Sequence, residues 1–341
     1  MVSPVNWGIL GTATIARVCL IPAIQQVHNS RVRAIASRSR ESARRLAEEH
    51  DISRAYGSYD ELLADPEIEV VYIPLPNHLH HTWTLRALAA GKHVLCEKPL
   101  ALNAGQARDM VTAARAANRL LMEAFMYRFH PRSRAIKQEI DSGAIGRPRL
   151  LRAAFTFRLS DPENIRLRPE MGGGALLDAG CYGVSVVRWL LRREPVQVQA
   201  TAEIGPTGVD LNTAALLTFE GNILAVIEAS FQAALQQTYS IAGSRGIIEL
   251  PHNAFIPWEA EAVYYRRGVE DENPVVERVP GADEYQLMVE HFAGAVQKQH
   301  PLAFDPQDSI QNMVVLDAVT ESFRTHAAVP VAREPFQGLN G

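Results

Sequence analysis

An apolar strand that runs into a glycine turn and a helix, near the amino-terminal end of the chain, constrains the fold most. Residues 5–10 are strand-like, and Gly11, Ala13 and Ala16 then stand at the three small-residue positions of the dinucleotide fingerprint G-x-G-x-x-G/A. Gly11 permits the tight turn and Ala16 lets the helix pack against the sheet, while backbone N–H groups at the helix start face a pyrophosphate. Ala13 departs from the fingerprint, because its methyl group occupies space where the backbone comes closest to the phosphates. The segment predicts a Rossmann sheet, and the residues assigned here to the cofactor are Gly8, Gly11, Thr12, Ala13, Thr14 and Ile15.

The end of the next predicted strand indicates which dinucleotide would bind. Residues 32–36 form this strand, and Ser37 and Arg38 follow it. NAD-specific folds carry an Asp or Glu near this point, which accepts a hydrogen bond from the ribose 2′-hydroxyl. A hydroxyl and a guanidinium instead suit a 2′-phosphate, so we assign both residues to the cofactor and favour NADP over NAD. The alternative is that Arg38 and Arg40 are ordinary surface charges at the start of a helix.

The alternation of strands and helices continues to about residue 124 and predicts a doubly wound parallel sheet. The strand at residues 70–73 ends at Pro74, and Asn77 and His78 follow at the edge where ligands of such sheets bind. We assign these three residues to the cofactor. Three histidines within residues 78–81 invite a metal interpretation, but they have no nearby Cys or carboxylate at ligand spacing, so no metal site is predicted.

Glu97, Lys98 and Pro99 follow the predicted strand 93–96 and carry the strongest catalytic signal. An acid and a lysine at the carboxyl end of a parallel strand lie where ligands bind. A lysine there can position a reacting hydroxyl or take its proton, because burial and neighbours readily shift its pKa. The alternative is that both side chains begin a solvated loop. We assign Glu97 to cofactor binding, and Lys98 to catalysis and cofactor binding.

After Arg128 the pattern changes to strands without intervening helices. Predicted strands lie at residues 148–157 and then in succession from 198 to 265. Such a succession predicts an α+β domain with an open, mostly antiparallel sheet, and we expect helices 285–297 and 306–325 to pack against one face of it. The predicted division is an NADP-binding domain at 1–124, a substrate-binding and oligomerisation domain at 125–332, and a tail at 333–341.

A glycine-rich segment, residues 172–182, carries the second chemical cluster. Asp178 and Tyr182 are four residues apart and would share one face of a helix that runs to about residue 192. One interpretation is that they simply hydrogen-bond each other in the core. The other is that an acid, a phenol and Lys98 converge on one cleft and form a proton-transfer set.

Charge and composition argue against several classes of partner. The 341 residues carry a formal net charge of −4, so there is no bulk attraction for nucleic acid or an anionic membrane. Cys19, Cys96 and Cys181 are odd in number and widely spaced, which fits a reducing compartment better than a disulfide framework or a zinc site. No signal peptide is evident, and no apolar run reaches the ~20 residues of a membrane span. We expect a cytoplasmic protein with a small-molecule substrate.

Taken together, these motifs resemble the glucose–fructose oxidoreductase, inositol dehydrogenase and rhizopine-catabolism (Gfo/Idh/MocA) oxidoreductases. The segments that carry the resemblance are residues 7–16, 76–77, 97–99, 123–131 and 172–182. Two of them, 7–13 and 123–131, are most similar to the NADP-dependent aldose dehydrogenase branch, to which D-xylose 1-dehydrogenase and dimeric trans-dihydrodiol dehydrogenase belong. The resemblance implies a Rossmann domain followed by an α/β domain whose open sheet forms the subunit interface, and therefore a homodimer or homotetramer.

The resemblance also implies roles for particular residues. The lysine of the Glu-Lys-Pro triplet corresponds to Lys98 and the acid of the glycine-rich helix to Asp178, whereas many members have His where Tyr182 stands. Tyr at this position is typical of the sugar and dihydrodiol branch and disfavours an inositol dehydrogenase. Whether Lys98 or Tyr182 moves the proton stays open.

The expected function is that of an NAD(P)-dependent dehydrogenase acting on CH–OH groups. Hydride would pass between the nicotinamide C4 and C1 of a cyclic aldose, xylose- or glucose-like, giving the lactone, while Asp178 orients the sugar and Tyr182 or Lys98 takes the hydroxyl proton. Trans-dihydrodiol oxidation and dicarbonyl-sugar reduction are alternatives on the same scaffold, and a non-catalytic NADP-binding sensor is an alternative of another class. Further residues assigned to the substrate are Tyr127, Phe157 and Arg166, and Arg128 is assigned to the cofactor.

Overall fold

The first sheet is parallel and contains six strands. The computed structural model describes residues 3–334. The strands are β1 (Val5–Leu10), β2 (Ser30–Ala36), β3 (Arg54–Tyr56), β4 (Val70–Ile73), β5 (His93–Cys96) and β6 (Leu121–Glu123). Their order is β3-β2-β1-β4-β5-β6, and every pairing is parallel. This is the strand order of a dinucleotide-binding Rossmann fold, so the prediction for this sheet is confirmed.

Five helices alternate with these strands. They are α1 (Ile21–Gln26), α2 (Arg40–Glu49), α3 (Tyr59–Leu63), α4 (His80–Ala89) and α5 (Ala104–Ala116). The strands β4 and β5 are short apolar runs, and β4 is buried throughout, because a parallel sheet is covered on both faces. Ser39 and Asn103 cap the starts of α2 and α5 by accepting backbone N–H groups three residues on. The three-residue strand β3 was not predicted, since it is only half-buried and gives no apolar run.

The second sheet contains nine strands and is mostly antiparallel. Its strands are β7 (Pro148–Thr156), β8 (Pro195–Ile204), β9 (Asp210–Phe219), β10 (Ile223–Ser230), β11 (Gln236–Gly243), β12 (Gly246–Leu250), β13 (Glu261–Gly268), β14 (Val275–Pro280) and β15 (Val329–Pro330). The order is β14-β13-β12-β11-β7-β10-β9-β8-β15. Among the described strands of this second sheet only β7 and β10 pair in parallel, so the predicted open, mostly antiparallel sheet is confirmed. The edge strand β14 was not predicted, because Val275 and Val276 are exposed and charged residues separate them from Val279.

Two helices flank β7 in the sequence, α6 (Pro131–Asp141) before it and α7 (Cys181–Leu191) after it. The helix α7 is almost entirely buried and packs against β7 and β10. Gly183 permits the close approach, because a Cβ there would lie 2.7 Å from Cγ2 of Ile227. One segment of residues 3–334, Pro169–Leu191, is long and apolar enough to cross a bilayer, but 83% of its most apolar window is buried inside the fold, as in a core helix.

The described chain divides into two compact units. The first comprises the residues up to Met126 together with Asp283–Ile310, and the second comprises Tyr127–Ala282 together with the residues from Gln311 onward. The predicted domains are continuous, so they differ from these units in the placement of Asp283–Ile310. Of the predicted tail, residues 335–341 lie outside the described residues.

The last two helices are α8 (Glu284–Val296) and α9 (Gln307–Thr325). The helix α8 packs against α1 and β2 in the first unit, where the Phe292 ring lies 5.7 Å from the Trp7 ring. The prediction that this helix packs on the second sheet was wrong, because an apolar stripe does not specify which sheet it covers. Only the first residues of α9 belong to the first unit, and the rest belong to the second.

Candidate active site

The turn after β1 has the backbone geometry that a dinucleotide phosphate needs. Gly11 has a φ of +102°, and a Cβ there would lie 3.0 Å from the Leu75 side chain, so glycine is required. Its N–H donates to Ala36 O at the end of β2, at 2.7 Å. The exposed residues Thr12 and Thr14 follow, and a π-helical turn leads on into α1. The turn therefore presents an exposed backbone at the start of a helix, as a pyrophosphate site requires.

Gly8 has a packing role in the structure. It is buried within β1, and a Cβ there would lie 2.6 Å from Cδ2 of Leu62 and 3.1 Å from Cγ2 of Ile68. Glycine at this position therefore lets α3 approach the sheet closely. Its assignment to the cofactor stays a prediction, as do those of Ala13 and Ile15, which are half-buried in the turn.

The carboxyl end of β2 presents a hydroxyl and an exposed guanidinium. Ser37 is buried, and its Oγ accepts a backbone N–H two residues on at 3.3 Å. Arg38 is exposed, and its charge acts on the Tyr59 phenol, although burial is the larger effect and raises the pKa of that phenol. Arg40 pairs with Glu61 at 2.7 Å. The glycine turn and this exposed cation fit an NAD(P) cofactor, and the assignment of Arg38 to a 2′-phosphate stays a prediction.

A carboxylate that follows β5 is held from the neighbouring strand. The Tyr72 hydroxyl donates to Glu97 Oε1 at 2.6 Å, and the Lys98 backbone N–H donates to Oε2 at 3.2 Å. Burial and the Glu97 charge raise the pKa of Tyr72 well above its usual value, so the phenol stays protonated and donates. The Leu100 N–H donates to Glu123 Oε1 at 2.8 Å. Two carboxylates thus fix the loop that carries Lys98, which is half-buried rather than part of a solvated loop.

His80 joins the loops at the carboxyl ends of β4 and β5. Its Nδ1 lies 2.9 Å from Pro99 O and its Nε2 lies 2.8 Å from Leu75 O. The ring is fully buried, which lowers its pKa, so its role is structural. Asn77 and His78 precede it and are half-buried at this edge. Within residues 3–334, no group of three or more His, Cys, Asp or Glu side chains is placed to hold a metal ion.

In the second unit, Arg166 and Asp178 form an ion pair. Arg166 Nε donates to Asp178 Oδ2 at 2.7 Å. The Asp178 charge raises the pKa of Arg166, and the Tyr182 phenol adds to this shift, so the structure brings these three predicted substrate residues together. Asp178 lies in a π-helical turn, Leu176–Gly180, and Tyr182 lies in the first turn of α7. The predicted helix is present and runs to Leu191, and its glycine-rich start winds more loosely than the rest, as a π-helical turn.

Aromatic rings surround Tyr182, which is 4% exposed. Its ring centroid lies 5.2 Å from that of Phe155, 5.3 Å from that of Phe255 and 6.1 Å from that of Tyr127. Phe157 extends the group, with its centroid 6.2 Å from that of Phe155. The predicted substrate residues Tyr127 and Phe157 therefore belong to one aromatic cluster with Tyr182.

A buried polar network lies one helical turn beyond Tyr182. The hydroxyl groups of Tyr127 and Ser185 are 2.8 Å apart, and Arg128 donates to Ser185 Oγ at 2.7 Å. Arg128 is 5% exposed, so these hydrogen bonds help to compensate a buried charge. Its assignment to the cofactor stays a prediction.

Four residues of this region were not predicted from the sequence: Ser185, Phe155, Phe255 and Asp210. Ser185 carried a signal, because it is three residues after Tyr182 on the same helix. Phe255 comes from the loop after β12 and had no signal of its own. Asp210, at the start of β9, accepts the Leu176 N–H at 2.7 Å and so holds the glycine-rich turn from 34 residues away.

Comparison with known families decides what kind of protein this is. Residues 5–125 match the oxidoreductase family with an NAD-binding Rossmann fold, and residues 133–249 match the Gfo/Idh/MocA carboxyl-terminal domain. The chain belongs to the Gfo/Idh/MocA family. It is an NAD(P)-dependent oxidoreductase, and the resemblance inferred from its motifs is confirmed.

Two relatives and one solved structure represent this Gfo/Idh/MocA family. The D-xylose 1-dehydrogenase (NADP(+)) 2 of Haloferax volcanii is 37% identical over 95% of this chain and 98% of its own length. The trans-1,2-dihydrobenzene-1,2-diol dehydrogenase of Xenopus laevis is 38% identical over 74% of this chain and 77% of its own. The crystal structure of a 3-ketoreductase from Actinomadura kijaniata, in complex with NADP and TDP-benzene, has a TM-score of 0.88 at 32% identity and covers 94% of this chain and 98% of that one.

Proposed function

We propose that this oxidoreductase is an NADP-dependent dehydrogenase that oxidises C1 of a cyclic aldose, such as xylose or glucose, to the lactone. The observation that carries the proposal is the Arg166–Asp178 ion pair beside Tyr182. A carboxylate that accepts and a guanidinium that donates can hold neighbouring hydroxyl groups of one sugar ring. The aromatic cluster around Tyr182 supplies the apolar wall that completes such a pocket.

Tyr182 and Lys98 are the two candidates for taking the proton from the C1 hydroxyl. A phenol and an ammonium group both have an ordinary pKa of about 10, so either one needs a neighbour that lowers it. For Tyr182 the nearby cation is the Arg166 guanidinium, which interacts electrostatically with the phenol. Asp178 would orient the substrate hydroxyl by accepting its hydrogen bond. The bound nicotinamide supplies the hydride acceptor.

Arg38 supports NADP over NAD. It is an exposed guanidinium at the carboxyl end of β2, where no carboxylate follows the strand. A planar cation at this place suits the 2′-phosphate of NADP. The ribose 2′-hydroxyl of NAD would lack the acidic residue that usually accepts its hydrogen bond. The Haloferax relative is named for NADP(+), and the Actinomadura structure holds NADP, which adds support.

Oxidation of a trans-dihydrodiol is the second candidate. The aromatic cluster of Tyr182, Phe155 and Phe255 favours it, because the ring of such a substrate is apolar, and the Xenopus relative is named for this reaction. Reduction of a dicarbonyl sugar would use the same residues in the opposite direction. A non-catalytic NADP-binding sensor needs only the cofactor turn, and the Arg166–Asp178 pair beside a phenol argues against it.

A substrate panel separates these functions. The purified protein is mixed with NADP or with NAD and offered xylose, glucose, other aldoses, inositol and a trans-dihydrodiol, and reduced cofactor is followed by absorbance. Turnover with NADP and an aldose is the expected result. Turnover with the diol alone would favour the second candidate. Binding of NADP without oxidation of any substrate, and without reduction of a dicarbonyl sugar by NADPH, would leave the sensor.

We further propose that the protein is a homodimer or homotetramer that assembles through the outer face of the second sheet. Leu150, Leu216 and Leu224 are 56%, 37% and 37% exposed there. Leu224 is paired with Leu150 on β7, and Leu216 is paired with Val226 on β10, so all three share one face. Exposed apolar side chains grouped in this way are typical of an interface.

A further inference from the structure

Asp210 stands at the start of β9 and is 8% exposed. Its Oδ2 accepts two hydrogen bonds, from the Leu176 backbone N–H at 2.7 Å and from the Thr213 hydroxyl at 2.7 Å. Leu176 is the first residue of the π-helical turn that contains Asp178. A buried carboxylate of the sheet therefore caps the helical segment on which the substrate residues lie.

Gly174 is fitted to this carboxylate. It has a φ of +113°, and a Cβ built on it would overlap Asp210 Oδ1. A larger residue at 174 would have to displace either the carboxylate or the turn. The close approach of this turn to β9 therefore requires both the glycine and the aspartate.

The turn that Asp210 caps is also hydrogen-bonded to both partners of the ion pair, Arg166 and Asp178. The Gly174 N–H donates to Arg166 O at 2.9 Å, and Gly174 O accepts the Asp178 N–H at 3.2 Å. The two side chains then meet between Arg166 Nε and Asp178 Oδ2 at 2.7 Å. A Cβ on Gly173 would overlap the same Arg166 carbonyl oxygen, so this part of the turn has no space for a larger residue.

We propose that Asp210 is a positioning residue of the active site, which anchors residues 174–176 and thereby sets the geometry of the Arg166–Asp178 pair. The kinetic consequence rests on the proposed function, whereas the anchoring itself does not. Burial raises the pKa of Asp210, and the hydrogen bonds from Thr213 and Leu176 oppose this rise. Burying a carboxylate costs desolvation free energy, which an apolar residue at position 210 would avoid. Such a cost is expected where a side chain positions a functional site.

Two substitutions of Asp210 separate anchoring from general stability. Asp210→Ala removes both hydrogen bonds, whereas Asp210→Asn keeps an amide oxygen that can accept the Leu176 N–H. We expect Asp210→Ala to raise the amide hydrogen-exchange rate of residues 173–180 about fivefold or more. This factor corresponds to the stability that is typically lost when a helix cap is removed. The KM for the aldose should rise and kcat should fall, with the KM for NADP unchanged. Asp210→Asn should restore most of the exchange protection and of the KM.

Thr213→Val and Asp283→Ala complete the experiment. Thr213→Val removes one hydrogen bond to the same carboxylate and should give a smaller change in exchange of the same kind, so it serves if Asp210→Ala does not fold. Asp283 caps α8 in the first unit by accepting the Tyr285 and Gln286 N–H groups. Its replacement by alanine should leave the exchange of residues 173–180 as in the wild type.

The outcomes that count against the anchor are distinct from those that count against the function. Wild-type exchange of residues 173–180 in folded Asp210→Ala or Thr213→Val would overturn the proposal. So would equal losses of turnover in the two Asp210 variants without a change in exchange. If the wild type oxidises no aldose, the proposed function fails, and the exchange rates still decide whether Asp210 anchors the turn.

Discussion

Lys98 is the residue whose replacement tests the catalytic assignment most directly. Lys98→Met removes the ammonium group and keeps a long unbranched side chain in the half-buried loop after β5. We expect kcat to fall ~10²-fold or more, because a positioned proton-transfer group contributes about that much. The Kd for NADP should change far less than kcat, because most of the residues predicted to bind the cofactor are unaltered. Steady-state rates at saturating aldose and a fluorescence titration with NADPH measure the two quantities.

Lys92 offers a matched control for Lys98. It is a buried lysine of the same unit, and its Nζ donates to the carbonyl oxygens of Asp65 and Ile68 at 2.7 and 2.8 Å. Lys92→Met should lower the thermal midpoint and leave kcat near the wild-type value. A Lys98→Met enzyme with near-wild-type kcat would sink the assignment of Lys98 and leave Tyr182 as the candidate for proton transfer.

Arg38 decides the choice between the two nicotinamide cofactors. Arg38→Ala should raise the KM for NADP about tenfold or more, because a charge-assisted contact to phosphate is lost, and should change the KM for NAD little. The neighbouring Arg40 provides the control, since it already pairs with Glu61 on the surface. Arg40→Ala should alter neither value. Equal losses with NADP and NAD in Arg38→Ala would refute the 2′-phosphate role.

At the scale of elements, His93 and His130 accept backbone hydrogen bonds and so link stability to pH. His93 Nδ1 accepts the Leu120 N–H at 2.9 Å between β5 and the start of β6. His130 Nδ1 accepts the Arg132 N–H at 3.0 Å at the start of α6. Burial lowers the pKa of each to about 4. An accepting nitrogen carries no proton, so the geometry also requires the neutral ring.

The free energy of unfolding should therefore fall as the medium is acidified. Between pH 4 and 6.5 these histidines are neutral in the folded state but protonated in the unfolded state. Their contribution to the free energy of unfolding is therefore complete above pH 6.5 and is lost as the pH falls from 6.5 to 4. Each pKa unit corresponds to about 1.4 kcal/mol. Urea unfolding at several pH values in this window measures the slope.

His93→Asn tests this linkage, because an amide oxygen can accept the Leu120 N–H without titrating. The variant should show a shallower fall in stability between pH 6.5 and 4. His28 is exposed and serves as the control, and His28→Asn should keep the wild-type slope. If His93→Asn and the wild type give parallel curves, His93 does not carry this dependence.

An element can be predicted from the sequence when the residues that determine it are close together in the chain. The strands β4 and β5 were predicted correctly because a buried parallel strand is an apolar run, and Lys98 followed from its place after β5. The π-helical turn around Asp178 was not predicted, since glycines give no helical period to count. Asp210 and Phe255 were missed because their contacts join residues that are distant in sequence, and no periodicity records which ones meet.

At the scale of the whole molecule, each unit carries a different part of the predicted chemistry. The glycine turn, Arg38 and Lys98 belong to the first unit, and Arg166, Asp178 and Tyr182 belong to the second. The second unit also carries a sheet of nine strands, and α7 packs against β7 and β10 on its inner face. Its outer face bears Leu150, Leu216 and Leu224, which are exposed to solvent.

The outer face of the second sheet should therefore be a subunit interface. Leu224 lies on β10, near the middle of the sheet, and is paired with Leu150 on the neighbouring strand. Leu224→Glu would place a charge within the contact, where burial without a partner is costly. We expect the variant to be monomeric by light scattering while the wild type is a dimer or tetramer. Val269 is 76% exposed and follows β13, so Val269→Glu is the control and should leave the assembly unchanged. A wild-type protein that is monomeric at micromolar concentration, or a Leu224→Glu variant with the wild-type mass, would contradict the assignment of this face.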